Sequence, residues 1–152
     1  MSSRADLALY DRNGQLIAIA EVKNKRGTSR EWAAQLRRNI LAHGGAYNAD
    51  FFLLATPDRL YLWKNAGTAP TLVQPTYEFD TQPIFAPYFK SAGVDPRNVS
   101  GHAFELVVAA WLGDLVRSGE KPEKLANEQS WLVESGFLTA VRDGRIEYEV
   151  VA

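Results

Sequence analysis

The chain contains no cysteine. Disulfides, thiolate zinc sites and cysteine nucleophiles are excluded together. Histidine is almost as scarce: only His43 and His102 occur, so a histidine-rich zinc site is not expected. Any metal would be held mainly by oxygen, which favours Mg²⁺ or Mn²⁺. No apolar run approaches the roughly 20 residues of a membrane span. The opening Met-Ser-Ser-Arg-Ala-Asp has no apolar signal-peptide core. The expectation is a cytoplasmic protein without a membrane partner. A strong positive charge is also missing, since the net charge is −1, and this argues against a strongly basic nucleic-acid binder.

The charge is unevenly spread, however. Residues 1–64 hold ten Lys/Arg against six Asp/Glu, and residues 65–152 hold seven against twelve. Between Lys23 and Arg38 lie Lys23, Lys25, Arg26, Arg30, Arg37 and Arg38, opposed by Glu31 alone. A local patch of this kind can attract phosphate on a neutral protein. A solvated helix face accounts for the same charges. At 152 residues the chain is long enough for one domain with a hydrophobic core.

The pattern along the chain predicts an α/β fold. Asp6 to Tyr10 and Leu16 to Lys23 alternate as strands. Asn13-Gly14 between them is a strong hairpin signal. Thr28 or Ser29 can cap a helix from about Arg30 to His43, with Trp32, Leu36, Asn39/Ile40 and His43 at helical spacing. Gly44-Gly45 would stop it. Phe51 to Ala55 reads as a buried strand and Arg59 to Lys64 as another, joined by Thr56-Pro57-Asp58. Residues 65–88 carry four prolines among Tyr77, Phe79, Phe85 and Tyr88. They read as an extended segment pinned across the core. Ser100 to Arg117 is an amphipathic helix, with Phe104, Val107, Val108, Trp111, Leu112 and Leu115 on its apolar face. A shorter helix is expected near Asn127 to Ser135, then an Arg142-Asp143-Gly144 turn and a last strand from Arg145.

The first hairpin carries the chemistry. With Asn13-Gly14 as a two-residue turn, paired positions sum to 27 and Asp6 faces Glu21. Directly opposed residues have Cβ atoms roughly 5 Å apart on one face. Alternation puts Lys23 on the same face as Glu21. Two carboxylates so close raise at least one pKa unless a cation lies between them. Mg²⁺ accepts such oxygens and keeps several waters, and it makes water easier to deprotonate. Lys23 could orient that water or offset charge on a phosphate. A surface salt bridge at a strand end is the plainer reading of the same three residues.

Asp6, a turn, Ile19-Ala20-Glu21-Val22-Lys23 and a helix holding Gln35 resemble the PD-(D/E)XK nuclease superfamily, which includes restriction endonucleases and RecB-like nucleases. The resemblance covers residues 4 to about 64, with 65–152 as a mainly helical extension. The longer string Glu31 to Asn39, with Thr56 to Arg59 and Tyr61 to Lys64, is also similar to a group of bacterial proteins frequent in cyanobacteria. The family resemblance implies a mixed sheet with a central packed helix. It implies Asp6, Glu21 and Val22 as metal positions, Lys23 as the aid to the attacking water, and Gln35 as support. It implies hydrolysis of a nucleic-acid phosphodiester, with DNA favoured. Two departures stand out. Ala5 replaces the motif's proline, and only five residues precede Asp6, where the family commonly has a helix and a strand. Glu105 is expected either to substitute in space for a helix acid or to border an ordinary packing helix.

Lys25, Arg26, Arg30, Arg37 and Arg38 are the expected contacts to a nucleic-acid backbone, with at least one helix arginine simply solvated. His43 reads as a capping residue, and His102 has no neighbouring ligand pattern. The four tryptophans read as core or rim aromatics. Asn24-Lys25-Arg26-Gly27 lacks phosphate-loop spacing. Exposed sheet edges make a homodimer or a subunit role in a larger complex the expected assemblies. A nuclease-shaped module that binds without cutting is the alternative to an enzyme.

Overall fold

A computed structural model describes residues 4–43, 48–117 and 129–151. Six strands form one mixed sheet: β1 (Arg4–Tyr10), β2 (Leu16–Val22), β3 (Phe51–Ala55), β4 (Arg59–Lys64), β5 (Tyr77–Asp80) and β6 (Arg145–Val151). Their spatial order is β5-β4-β3-β2-β1-β6. Only β2 and β3 run parallel, joined by helix α1 (Arg30–Ala42). A parallel pair needs such a crossover.

The first hairpin reaches the expected register by a different route. Its loop spans Asp11 to Gln15 and closes by Asp11 N–H to Gln15 O at 2.8 Å and Gly14 N–H to Asp11 O at 2.9 Å. The Asp11 carboxylate takes the N–H groups of Asn13 and Gln15, both at 2.9 Å. Gly14 sits at φ 79°, where glycine carries no Cβ penalty. The three-residue loop shifts the pairing by one, so Tyr10 faces Leu16. A bulge at Ile17 shifts it back, and Leu9, Ala8 and Leu7 face Ala18, Ile19 and Ala20. The two-residue turn is therefore corrected, yet the register beside Asp6 and Glu21 is the one it implied.

Helix α1 covers one face of the sheet. Ser29 caps it, accepting from Trp32 N–H at 3.1 Å. His43 closes it, with its N–H on Asn39 O at 3.1 Å; Gly44-Gly45 lies outside the described residues. The buried stripe is Ala33, Ala34, Arg37 and Leu41. Trp32, Leu36 and Ile40 flank it, half-buried. The expected stripe is thus rotated, because two alanines let the helix backbone approach Ile19, Phe52 and Leu54.

The opposite face carries the C-terminal helices: α2 (Gln82–Ala92), α3 (Gly101–Val116), α4 (Trp131–Glu134) and α5 (Phe137–Val141). They bury Leu7, Leu9, Ala18, Ala20, Leu53, Leu60 and Leu62. Every residue of β3 is buried, as a strand covered on both faces must be. Ser100 caps α3 by accepting from Ala103 N–H at 3.1 Å, and all six expected apolar residues of α3 are buried.

One expectation fails in the C-terminal part. Residues 82–92 are helical rather than extended. Pro83 lies in the first turn, where its missing N–H costs nothing. Pro87 lies inside the helix, a position that normally costs about 3 kcal/mol. Burial of Ile84, Phe85 and Phe89 offsets it. Phe85 meets Phe104 and Trp111 edge-on at 5.8 and 5.7 Å. The expected strand from Arg145 is β6, β5 lies in the stretch expected to be extended, and the two form the edges of the sheet. Of the helix expected near Asn127 to Ser135, Asn127 and Glu128 lie outside the described residues, and α4 covers only Trp131–Glu134. Among the described residues, no helix is long and apolar enough to cross a membrane.

Candidate functional site

Asp6 and Glu21 meet at one end of the central strands, as the hairpin register requires. Asp6 is half-buried and its Oδ2 accepts Val22 N–H at 2.8 Å. Glu21 is buried, at 4% exposure, and its Oε1 has no hydrogen-bond partner. Burial pushes the Glu21 pKa up to about 8. The Asp6 charge and a hydrogen bond between the two side chains contribute to that rise, while Lys23 opposes it. Near neutral pH Glu21 is therefore mainly the neutral carboxyl, able to donate to Asp6.

Lys23 follows β2, exposed, with its N–H on Ala55 O at 2.9 Å. Glu105 of α3 is half-buried, and its charge also raises the Glu21 pKa. The chain thus brings a third carboxylate into electrostatic reach from the far side of the sequence. Among the described residues, no three His, Asp or Glu side chains converge closely enough to hold a metal ion. Val22 can offer only its carbonyl. Gln35 is exposed on α1, and no hydrogen bond joins it to Asp6, Glu21 or Lys23 among the described residues.

Neither a protein-family model, nor a curated protein, nor a solved structure matches this chain.

The loop from Lys23 to Ser29 is held from three directions. Asn24 donates to Val99 O at 2.9 Å, and Arg26 donates to Pro96 O. Gly27 N–H reaches Asp58 at 3.1 Å, and Thr28 bonds the Tyr61 hydroxyl at 2.7 Å. Lys25 is exposed and lies over the Trp32 ring at 5.4 Å. Arg30 bonds Pro75 O at 3.1 Å and pairs with Glu78 at 3.6 Å. Arg38 is half-buried, 3.5 Å from the Asn39 amide oxygen. His43 Nδ1 contacts Asn39 O at 2.7 Å, a capping contact as expected. Trp63, Trp111 and Trp131 are buried core aromatics and Trp32 is half-buried.

Arg37 is the clear correction to the basic patch. It is 2% exposed and donates to Gly67 O at 2.9 Å. Its guanidinium lies 5.9 Å from the rings of Phe52 and Trp63, and its Nε and Nη1 have no partner. Burial lowers its pKa. Position 37 lies on the stripe of Ala33, Ala34 and Leu41, so the helix turns it inward, away from any phosphate at the surface. An unpaired buried charge costs stability, so Arg37→Met is expected to keep the fold and raise stability by about 1 kcal/mol. Thermal melting checks this; a loss instead would show that the Gly67 and ring contacts outweigh desolvation.

Proposed function

We propose that this protein is a metal-dependent nuclease that hydrolyses nucleic-acid phosphodiester bonds, DNA in the first instance. The observation that carries the reading is the buried Glu21, whose Oε1 lacks a partner beside Asp6. A buried carboxylate with an unfilled oxygen is costly unless a cation or proton occupies it. The donor set is all oxygen, which suits Mg²⁺ or Mn²⁺. Asp6, Glu21 and the Val22 carbonyl would hold the ion, and Glu105 would add negative potential. When bound, the ion would supply Lewis acidity toward the phosphate and lower the pKa of water.

The chain's own groups have separate tasks. Val22 N–H fixes Asp6 beside Glu21, and Glu21, with its raised pKa, carries a proton near neutral pH. Glu21 must release that proton to act as an anionic ligand. Lys23, in solvent just beyond β2, can offset charge that builds on the phosphate. The exposed Gln35 favours a second reading, a nuclease-shaped binding module, because among the described residues no hydrogen bond ties it to the carboxylates it would support.

Calorimetric titration of Mg²⁺ and Mn²⁺ into wild type and Glu21→Ala, with a cleavage assay on single- and double-stranded DNA, separates the two. Binding lost in the variant, together with Mn²⁺-dependent cutting by wild type, is the expected result. A folded wild type that neither binds nor cuts would leave the binding module.

A further inference from the structure

A cleft of about 260 Å³ opens beside the Lys23–Ser29 loop. Its walls join segments far apart in sequence: Arg26 from the loop, Pro57 from the β3–β4 turn, Ala86 and Phe89 from α2, and Pro96 with Arg97 from a short 3-10 turn, Pro96–Asn98. It lies at the end of the sheet where Lys23 leaves β2. Lys23 N–H bonds Ala55 O, and Pro57 follows two residues later. Arg26 lies three residues past Lys23, so their Cα atoms are at most about 11 Å apart. Both parallel strands end here, where α/β sheets commonly bind ligands.

We propose that this cleft takes one unstacked base of a single-stranded nucleic acid, with Arg26 and Arg97 holding the phosphates that flank it. The inference rests on the nuclease reading for its place beside the scissile bond. The lining is mainly apolar, with Pro57, Ala86, the buried Phe89 and Pro96 beside Gln82 and the two arginines. Every base has an apolar face, so such a slot binds without reading sequence. The volume falls below the roughly 300 Å³ of sites for whole drug-sized ligands, which suits a base with its sugar and phosphate outside. A base in a duplex is stacked and cannot enter unless it is extruded. Arg26 is held at the mouth by its bond to Pro96 O. Arg97 holds Asp95 through two bonds, at 3.2 and 3.1 Å, with its side chain 84% exposed. At that exposure solvent screens the pair, and a phosphate can compete with Asp95 for the guanidinium. Arg97 comes from the acidic half of the chain, which is why the sequence alone does not join it to the basic patch.

The test is fluorescence anisotropy of labelled single-stranded and duplex oligonucleotides of one sequence, in EDTA, so that cutting plays no part. Wild type is expected to prefer the single strand by at least about tenfold. Ala86→Trp, at an exposed position on the cleft wall, fills the slot and leaves both arginines. It is expected to weaken single-strand binding roughly 5- to 100-fold, the range for one stacked base, with duplex binding unchanged. Arg97→Ala is expected to weaken single-strand binding and flatten its salt dependence. Circular dichroism establishes that each variant folds. Equal affinity for duplex and single strand, no binding to either, or full single-strand binding by folded Ala86→Trp would overturn the proposal. Strand-selective binding that Ala86→Trp abolishes, in a protein that never cuts, would retire the nuclease and keep the cleft. Cutting that Ala86→Trp leaves untouched would retire the cleft and keep the nuclease.

Discussion

Replacing Glu21 by glutamine is expected to abolish cleavage while making the metal-free protein more stable. The two effects have one cause. Glutamine matches the shape of the neutral carboxyl and can donate to Asp6, but it cannot become an anionic ligand. A loss of cutting of at least about a thousandfold is expected if the carboxylate acts with the ion in the transition state. The stability gain follows from the folded-state pKa of about 8 against 4.5 for the free side chain. Between those values the folded protein retains a proton that the unfolded chain has released. The stability that the neutral carboxyl contributes is present below pH 4.5 and is lost as pH rises through 8. At pH 7 the difference amounts to about 3 kcal/mol. Urea unfolding in EDTA from pH 5 to 8 should show wild type losing stability relative to Glu21→Gln. Parallel pH profiles would mean that Glu21 is ionised at no cost, and the argument for a cation between the carboxylates would fall.

The second large effect is structural. Gly144→Ala is expected to destabilise the fold by at least about 4 kcal/mol, an exceptional value for one methyl group. A Cβ at Gly144 would stand 1.8 Å from Tyr10 O and 2.9 Å from Tyr10 C. Both atoms belong to backbone, so no side-chain rotation relieves the clash. Relief requires parting β1 from β6 where Tyr10 pairs with Arg145. The Arg145 guanidinium would also leave the Tyr10 ring, 4.2 Å away. A melting temperature lower by about 10 °C is expected for a chain of this length. Gly101→Ala is the control: its added Cβ meets nothing within 4 Å, and its stability should stay within about 0.5 kcal/mol. Similar melting curves for both variants would show that β6 is not held against β1 as described. Because β6 covers the outer edge of β1, the strand carrying Asp6, loosening it should also weaken the acid pair.

The Asp6–Glu21 pair and the core from β1 to β4 were legible because their causes are local. Alternating side chains, an Asn-Gly turn and a capped helix depend on residues within a few positions of one another. The hairpin loop was misread, yet its extra residue and the Ile17 bulge cancel. The two faces pack differently, which explains this: a one-residue slip would turn Leu7 and Leu9 from the C-terminal helices to the α1 side, where the small Ala8 fits, so the core fixes the register whatever the loop. What the sequence by itself determined, then, is the order of the core elements and the opposition of two carboxylates. Only the tertiary structure decided that Arg37 is a core residue, that the segment from Gln82 is a helix despite Pro87, and that β6 and β5 close the sheet's edges. It also decided that Glu105 comes within electrostatic reach of Glu21 and that Arg26 and Arg97 line one cleft. Each of these is settled by burial between segments distant in sequence, and contact energy of that kind leaves no periodic trace in either segment alone.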